Sequence, residues 1–149
     1  DVLKTSFTTS PGDVVKDVLS PSGQATVQTC IQIAAVKNRP MVTLGNLKIT
    51  PYHPIRQEGH WVFPNDVGKA STHSDPVYDF LTDGQTVVID GITCVTWGHG
   101  LRGEVVEHAF FGNREALQSA LKNIPGWEDG HIVLKTQFRR DNTGRVCGL

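Results

Sequence analysis

Cysteine is scarce, with Cys30, Cys94 and Cys147 the only three in 149 residues. An odd number at irregular spacings supports neither a disulfide framework nor a Cys-x-x-Cys zinc site. A reducing, cytoplasmic setting is therefore the default. An excess of charge is also missing: 14 Lys and Arg stand against 15 Asp and Glu. The short Arg139-Arg140 pair reads as solvated, so no nucleic-acid footprint is expected. No apolar run is long enough to span a bilayer, and no signal-peptide pattern opens the chain, so no membrane is expected as a partner. There is no low-complexity linker. The first residue is Asp1 rather than Met, and the sequence is expected to be part of a longer polypeptide.

What remains fits a single domain over residues 1–149, long enough to bury a core without staples. Strand signals dominate. Val2 to Phe7 is short and β-prone, and Ala25 to Val36 is rich in Val, Ile and Thr with partial alternation. Met41–Leu44 and Leu47–Thr50 flank Gly45-Asn46, a two-residue hairpin signal. Trp61–Phe63 reads as another strand and 65–75 as a polar loop. A tight meander is expected over residues 77–97, turning at Asp83-Gly84 and at Asp90-Gly91, pairs that supply positive φ readily. One amphipathic helix is predicted, capped by Asn113, with Leu117, Ala120, Leu121 and Ile124 on one face and Pro125-Gly126 as its stop. His131–Phe138 is a last strand, followed by a turn over Asp141–Gly144. Short strands with regularly spaced turns give an all-β class with one helix packed on it.

The stretch Ile49-Thr50-Pro51-Tyr52-His53-Pro54-Ile55 carries the most chemistry. It sets a threonine and a histidine three residues apart where an apolar strand enters a turn stiffened by two prolines. Each proline fixes its own φ and biases the preceding residue towards extended geometry. An imidazole held in this way can act on a neighbouring peptide bond as acid or base. Read alone, the same residues describe an ordinary polar turn.

Further words follow in order: Gly59–Pro64, Val77-Tyr78-Asp79-Phe80, Cys94-Val95-Thr96-Trp97-Gly98-His99-Gly100 and His108-Ala109-Phe110-Phe111-Gly112. With Thr50–Arg56 they resemble the conserved blocks of the Hint superfamily, the self-processing fold of inteins and Hedgehog C-terminal domains. Within it the chain is most similar to the Vint group, and the resemblance covers nearly the whole chain.

The resemblance implies a Hint fold and cleavage of a peptide bond on the domain's own N-terminal side. A cysteine at the domain's start attacks the preceding carbonyl and converts the amide to a thioester, which water or another nucleophile then resolves. In that scheme Thr50 orients the scissile unit and His53 protonates the departing nitrogen. Asp79 stands where many inteins have a functional Asp that adjusts the nucleophile's protonation. Cys94 matches a functional Hedgehog cysteine; its alternative is a small buried hydrophobe. His99 is a group signature that either lines the site or caps a turn, and His108 is a family marker expected to be structural. His60 and His73 have no visible partners. No cofactor and no metal are implied, although a His-only zinc site stays open.

The pattern breaks in three places. The expected N-terminal cysteine is absent, and its block would precede residue 1. The loss of that strand should leave an unpaired edge. The intein C-terminal His-Asn pair is missing, which argues against splicing, and no sterol-recognition region follows. The expected partners are thus the chain's own N-terminal precursor segment or a complementary split fragment, with a protein acyl acceptor as a further candidate. Whether the chain is an enzyme depends on that nucleophile, since its autoproteolysis would be a single cysteine-type turnover. A catalytically inactive interaction module, anchored by aromatics near Trp61–Phe63 and Phe110-Phe111, is the alternative. A trans-acting protease using Cys94 with His53 or His99 is a third.

Overall fold

The structure is a computed structural model; it describes residues 1–149, apart from the side chain of Thr5. It is mostly β, as the Val-, Ile- and Thr-rich runs require. The strands are β1 (Val2–Leu3), β2 (Val14–Lys16), β3 (Gln24–Ile33), β4 (Arg39–Leu44), β5 (Leu47–Ile49), β6 (Ile55–Gln57) and β7 (His60–Val62). After a short helix α1 (Pro64–Val67) come β8 (Lys69–His73), β9 (Val77–Thr82), β10 (Thr86–Ile89) and β11 (Ile92–Val95). Helix α2 (Arg114–Leu121) precedes β12 (His131–Leu134), β13 (Arg139–Arg140) and β14 (Val146–Gly148).

The large sheet runs β12-β3-β9-β1-β5-β4-β8, with β2 also paired to β3; a second sheet runs β10-β11-β6-β7. Strand alternation splits the large sheet's side chains between two cores. Leu3, Ile31, Leu81 and Leu117 pack on one side. Val2, Cys30, Phe80, Ile55 and Cys94 pack on the other, against the second sheet. The centre of the large sheet is therefore covered on both faces. Helix α2 covers the first of them: Asn113 caps it, its Oδ1 accepting from the Ala116 N–H at 3.1 Å, and Leu117 and Leu121 are fully buried. Each buried leucine contributes roughly 2–3 kcal/mol.

The Gly45-Asn46 hairpin forms as predicted, with Leu44 opposite Leu47 and Gly45 at φ 61°. Other expectations need correction. The segment 65–75 is no loop. It holds α1 and β8, and β8 pairs antiparallel with β4 along its whole length. The meander is only half present: β10 and β11 form a hairpin over Asp90-Gly91, but β9 belongs to the other sheet. Asp83-Gly84 is the corner where the chain crosses between sheets. The helix ends at Leu121, four residues short of Pro125, and the last long strand stops at Leu134. At the start of the chain β1 lies between β5 and β9 and pairs with both, so no edge is open there.

The crossing corner is tied down by a buried carboxylate. Asp17 accepts hydrogen bonds from the Gln85 N–H at 2.9 Å, the Thr86 hydroxyl at 2.6 Å and the Leu19 N–H at 3.0 Å. Burial pushes its carboxyl up, but these hydrogen bonds outweigh burial and hold it below the usual range. Gly84 permits the approach, since a Cβ there would stand 2.1 Å from Asp17 Oδ2. Arg114 closes the other side by donating to the carbonyls of Thr82 at 2.6 Å and Gly84 at 2.8 Å.

Candidate functional site

Thr50 lies just past the end of β5, and the chain then turns through Pro51-Tyr52-His53. The turn is fixed from three directions. The His53 N–H donates to the Thr50 carbonyl at 3.3 Å, the Asn65 N–H to the Pro51 carbonyl at 2.9 Å, and the Val95 N–H to the Pro54 carbonyl at 3.2 Å. The last bond joins the turn to β11, and β6 runs on from there beside it. Proline stiffening thus combines with cross-sheet anchoring to hold His53, whose side chain is 9% exposed.

Strand β1 carries Asp1 to this turn. The Asp1 nitrogen donates to Thr50 Oγ1 at 2.8 Å and to His53 Nδ1, and the Thr50 N–H donates to the Asp1 carbonyl at 2.8 Å. Asp79, buried on β9, comes from the other flank. Its Oδ2 lies 3.5 Å from His53 Nδ1 and 3.8 Å from the Asp1 nitrogen, while Oδ1 accepts from the Phe80 N–H at 2.8 Å. Thr50, His53 and Asp79 therefore meet around a single main-chain nitrogen.

The direction of His53 follows from its second nitrogen. Nε2 faces the Val95 carbonyl at 2.8 Å, an acceptor only, so Nε2 carries the proton and the Nδ1 lone pair points at the Asp1 nitrogen. Burial, helped by the Asp1 ammonium, lowers the imidazole to about 4 although Asp79 opposes the shift. The ammonium is lowered by burial to about 6. The Asp1 ammonium is one cause of the His53 shift, so a neutral nitrogen at this position would release His53 upward.

Cys94 borders a tight gap it shares with Val2, His53 and Asp79. It is buried, its thiol donates to the Ile92 carbonyl at 3.6 Å, and burial pushes its pKa up to about 12. Such a thiol is neither exposed nor activated, which removes the reading of Cys94 as a trans-acting protease nucleophile. Cys94 is thus a small buried residue at the edge of the site.

His99 stands within electrostatic reach of Asp79 and His53. Its Nδ1 accepts from the Leu101 N–H at 2.9 Å, so its neutral ring carries the proton on Nε2. Burial lowers it to about 4. His108 holds its own turn, its Nδ1 accepting from the Phe110 and Phe111 N–H groups at 3.1 and 2.9 Å. The glycines around His99 have a backbone cause: the Gly98 and Gly100 N–H groups donate to the Phe111 and Gly112 carbonyls at 2.7 and 2.8 Å. Both glycines lie at positive φ, 73° and 69°.

These residues open on a cavity of about 510 Å³ whose walls also include Arg39, Thr96, Phe111 and Phe138. Sequence reasoning missed Arg39 and Thr96, although Thr96 lies inside the Cys94–Gly100 word. The possible His-only zinc grouping does not form among the described residues. The one metal-compatible cluster among them is Asp1, His53 and Asp79, with donor atoms within 4.8 Å of one another.

The Vint family model, described as a Hint-domain, matches residues 12–148. The chain belongs to this family. No curated protein matches the sequence. The Vint match takes in Thr50, His53, Asp79, Cys94 and His99, whereas Asp1–Leu3, which complete the nitrogen's surroundings, lie ahead of it. Among the described residues of this Vint domain, no helix is long and apolar enough to cross a membrane.

Proposed function

We propose that this Vint domain is a self-processing domain, and that the position held by the Asp1 nitrogen is the seat of a scissile peptide nitrogen. The observation that carries the reading is the convergence of Thr50 Oγ1, His53 Nδ1 and Asp79 Oδ2 on that atom. The nucleophile is the thiol of a cysteine whose own main-chain nitrogen takes the seat in place of Asp1, carried by a precursor segment or a complementary split fragment that enters the slot Asp1–Leu3 fill. Its S–H proton passes to the free lone pair of His53 Nδ1. The thiolate adds to the preceding carbonyl carbon, forming C–S as the π pair moves to oxygen. The intermediate collapses by breaking C–N, and the Nδ1 proton goes to the departing nitrogen. The product is a thioester and a free amine. Water or another nucleophile resolves the thioester, and a protein amine is one such acceptor. Asp79 stabilises the transient imidazolium; Thr50 holds the nitrogen.

The test uses a reporter fused directly ahead of residue 1, with Asp1 retained or replaced by Asp1→Cys. The Cys fusion is expected to shed its reporter, faster with hydroxylamine, and His53→Ala is expected to stop it. A Cys fusion that stays intact with hydroxylamine refutes self-processing.

One observation favours a second reading, a Hint-fold interaction module without chemistry: an aspartate, not a cysteine, holds the seat. The surface gives that reading less support, since Phe110 is buried and Phe111, Trp61 and Phe63 are only partly exposed. A binding partner whose capture survives Thr50, His53 and Cys94 substitutions would favour it.

A further inference from the structure

Among the described residues, three buried side-chain polar atoms find no hydrogen-bond partner: Arg39 Nε, Asp79 Oδ2 and Thr96 Oγ1. All three residues line the one cavity beside the seated nitrogen. Buried polar groups without partners are uncommon, and each costs stability, so three around one space call for a reason. Asp79 Oδ2 has one already, because it faces His53 and the nitrogen. That leaves two donors, a hydroxyl and a guanidinium N–H.

We infer that Thr96 and Arg39 form the oxyanion-binding pair of this site. The inference rests on the self-processing reading above. When the thiolate adds to the carbonyl preceding the seated nitrogen, the π pair becomes a localised negative charge on oxygen. That oxygen must lie in the cavity, one carbon away from the nitrogen. The Thr96 O–H and Arg39 Nε–H would donate to it, and neither bond would have to be broken from an internal partner first. Thr96 is fully buried, on the residue after Val95, whose carbonyl orients His53. Arg39 is already fixed at its far end, where Nη2 donates to the Ala34 carbonyl at 2.7 Å. Fixed donors stabilise developing charge strongly because they need no reorganisation during the reaction.

The inference makes stability and activity move in opposite directions. Thr96→Val keeps the side-chain volume and deletes an unpaired hydroxyl. In the Asp1→Cys reporter fusion it is expected to slow thioester formation about 100-fold while leaving the thermal midpoint equal or higher. Thr96→Ser, which keeps the hydroxyl, is expected to stay within a few-fold of the parent. Arg39→Lys keeps the charge but loses Nε–H, and should slow the reaction in the same way. Single-turnover rates in hydroxylamine and parallel melts read these outcomes. A Thr96→Val rate within threefold of the parent overturns the inference and leaves self-processing standing. A lowered midpoint that accounts for lost activity also overturns it, and an inert Asp1→Cys parent overturns both.

Discussion

His53 Nε2 donates to the Val95 carbonyl at 2.8 Å, and this bond decides what the rest of the imidazole can do. Because Val95 belongs to β11, a strand of the second sheet sets the tautomer of a histidine that follows a strand of the first. The lone pair left on Nδ1 faces the Asp1 nitrogen.

Acid should loosen this domain before its carboxylates titrate. His53 and His99 each titrate at about 4 when folded, against about 6.5 in the unfolded chain. As pH falls below 6.5 the unfolded chain takes up protons that the folded one refuses. The stability these two rings contribute is therefore fully present above that pH and drains towards 4, by on the order of a few kcal/mol. Urea melts at pH 7.5 and 4.5 check this, and His99→Gln should flatten the slope. Acetylating the Asp1 amine should raise the His53 pKa in an NMR titration, because it removes the ammonium charge. An unchanged urea midpoint across this range would contradict the buried, neutral state of both rings.

Cys94 should resist alkylation. With its thiol at about 12 and its side chain buried, iodoacetamide at pH 8 is expected to modify exposed Cys147 and spare Cys94 until urea unfolds the chain. Peptide mapping by mass spectrometry reads the two sites separately. Rapid native labelling of Cys94 would mean that the gap beside His53 is open.

The corner between the sheets should be sensitive to single substitutions. Asp17→Ala strands the Gln85 N–H and the Thr86 hydroxyl, at a cost of about 3 kcal/mol in urea unfolding. Gly84→Ala should cost a comparable amount, because its Cβ would collide with Asp17 Oδ2. Combined, the two should cost less than their sum, since removing the carboxylate also removes that collision. Strict additivity would show that the contact is unimportant.

The elements legible in the sequence were those with local causes. The Gly45-Asn46 hairpin, the Asn113 cap and the Leu117/Leu121 face each depend on a few adjacent residues. Thr50, His53 and Asp79 were legible through their words, and they do come together. Strand β8 was not, because an edge strand exposed along both faces has no apolar alternation, and only its pairing with β4 makes it a strand. The break in the meander was hidden because Asp-Gly permits a hairpin turn and a sheet crossing alike. Thr96 and Arg39 are ordinary residue types, distinguished only by what their side chains fail to touch. The position of Asp1 depends on strand order, which brings residues 1, 50 and 79 together from distant parts of the chain.

Val2 and Leu3 join the large sheet through main-chain pairing with β5 and β9, and the hydrogen bonds that Asp1 makes among the described residues also leave from its backbone. Ladder bonds do not depend on which side chain the paired residue bears. The socket at the end of this strand consequently holds main-chain atoms rather than an amino-acid side chain. A different leading residue could be installed there without rebuilding its walls, so the chemistry of the domain would be set by whichever residue arrives.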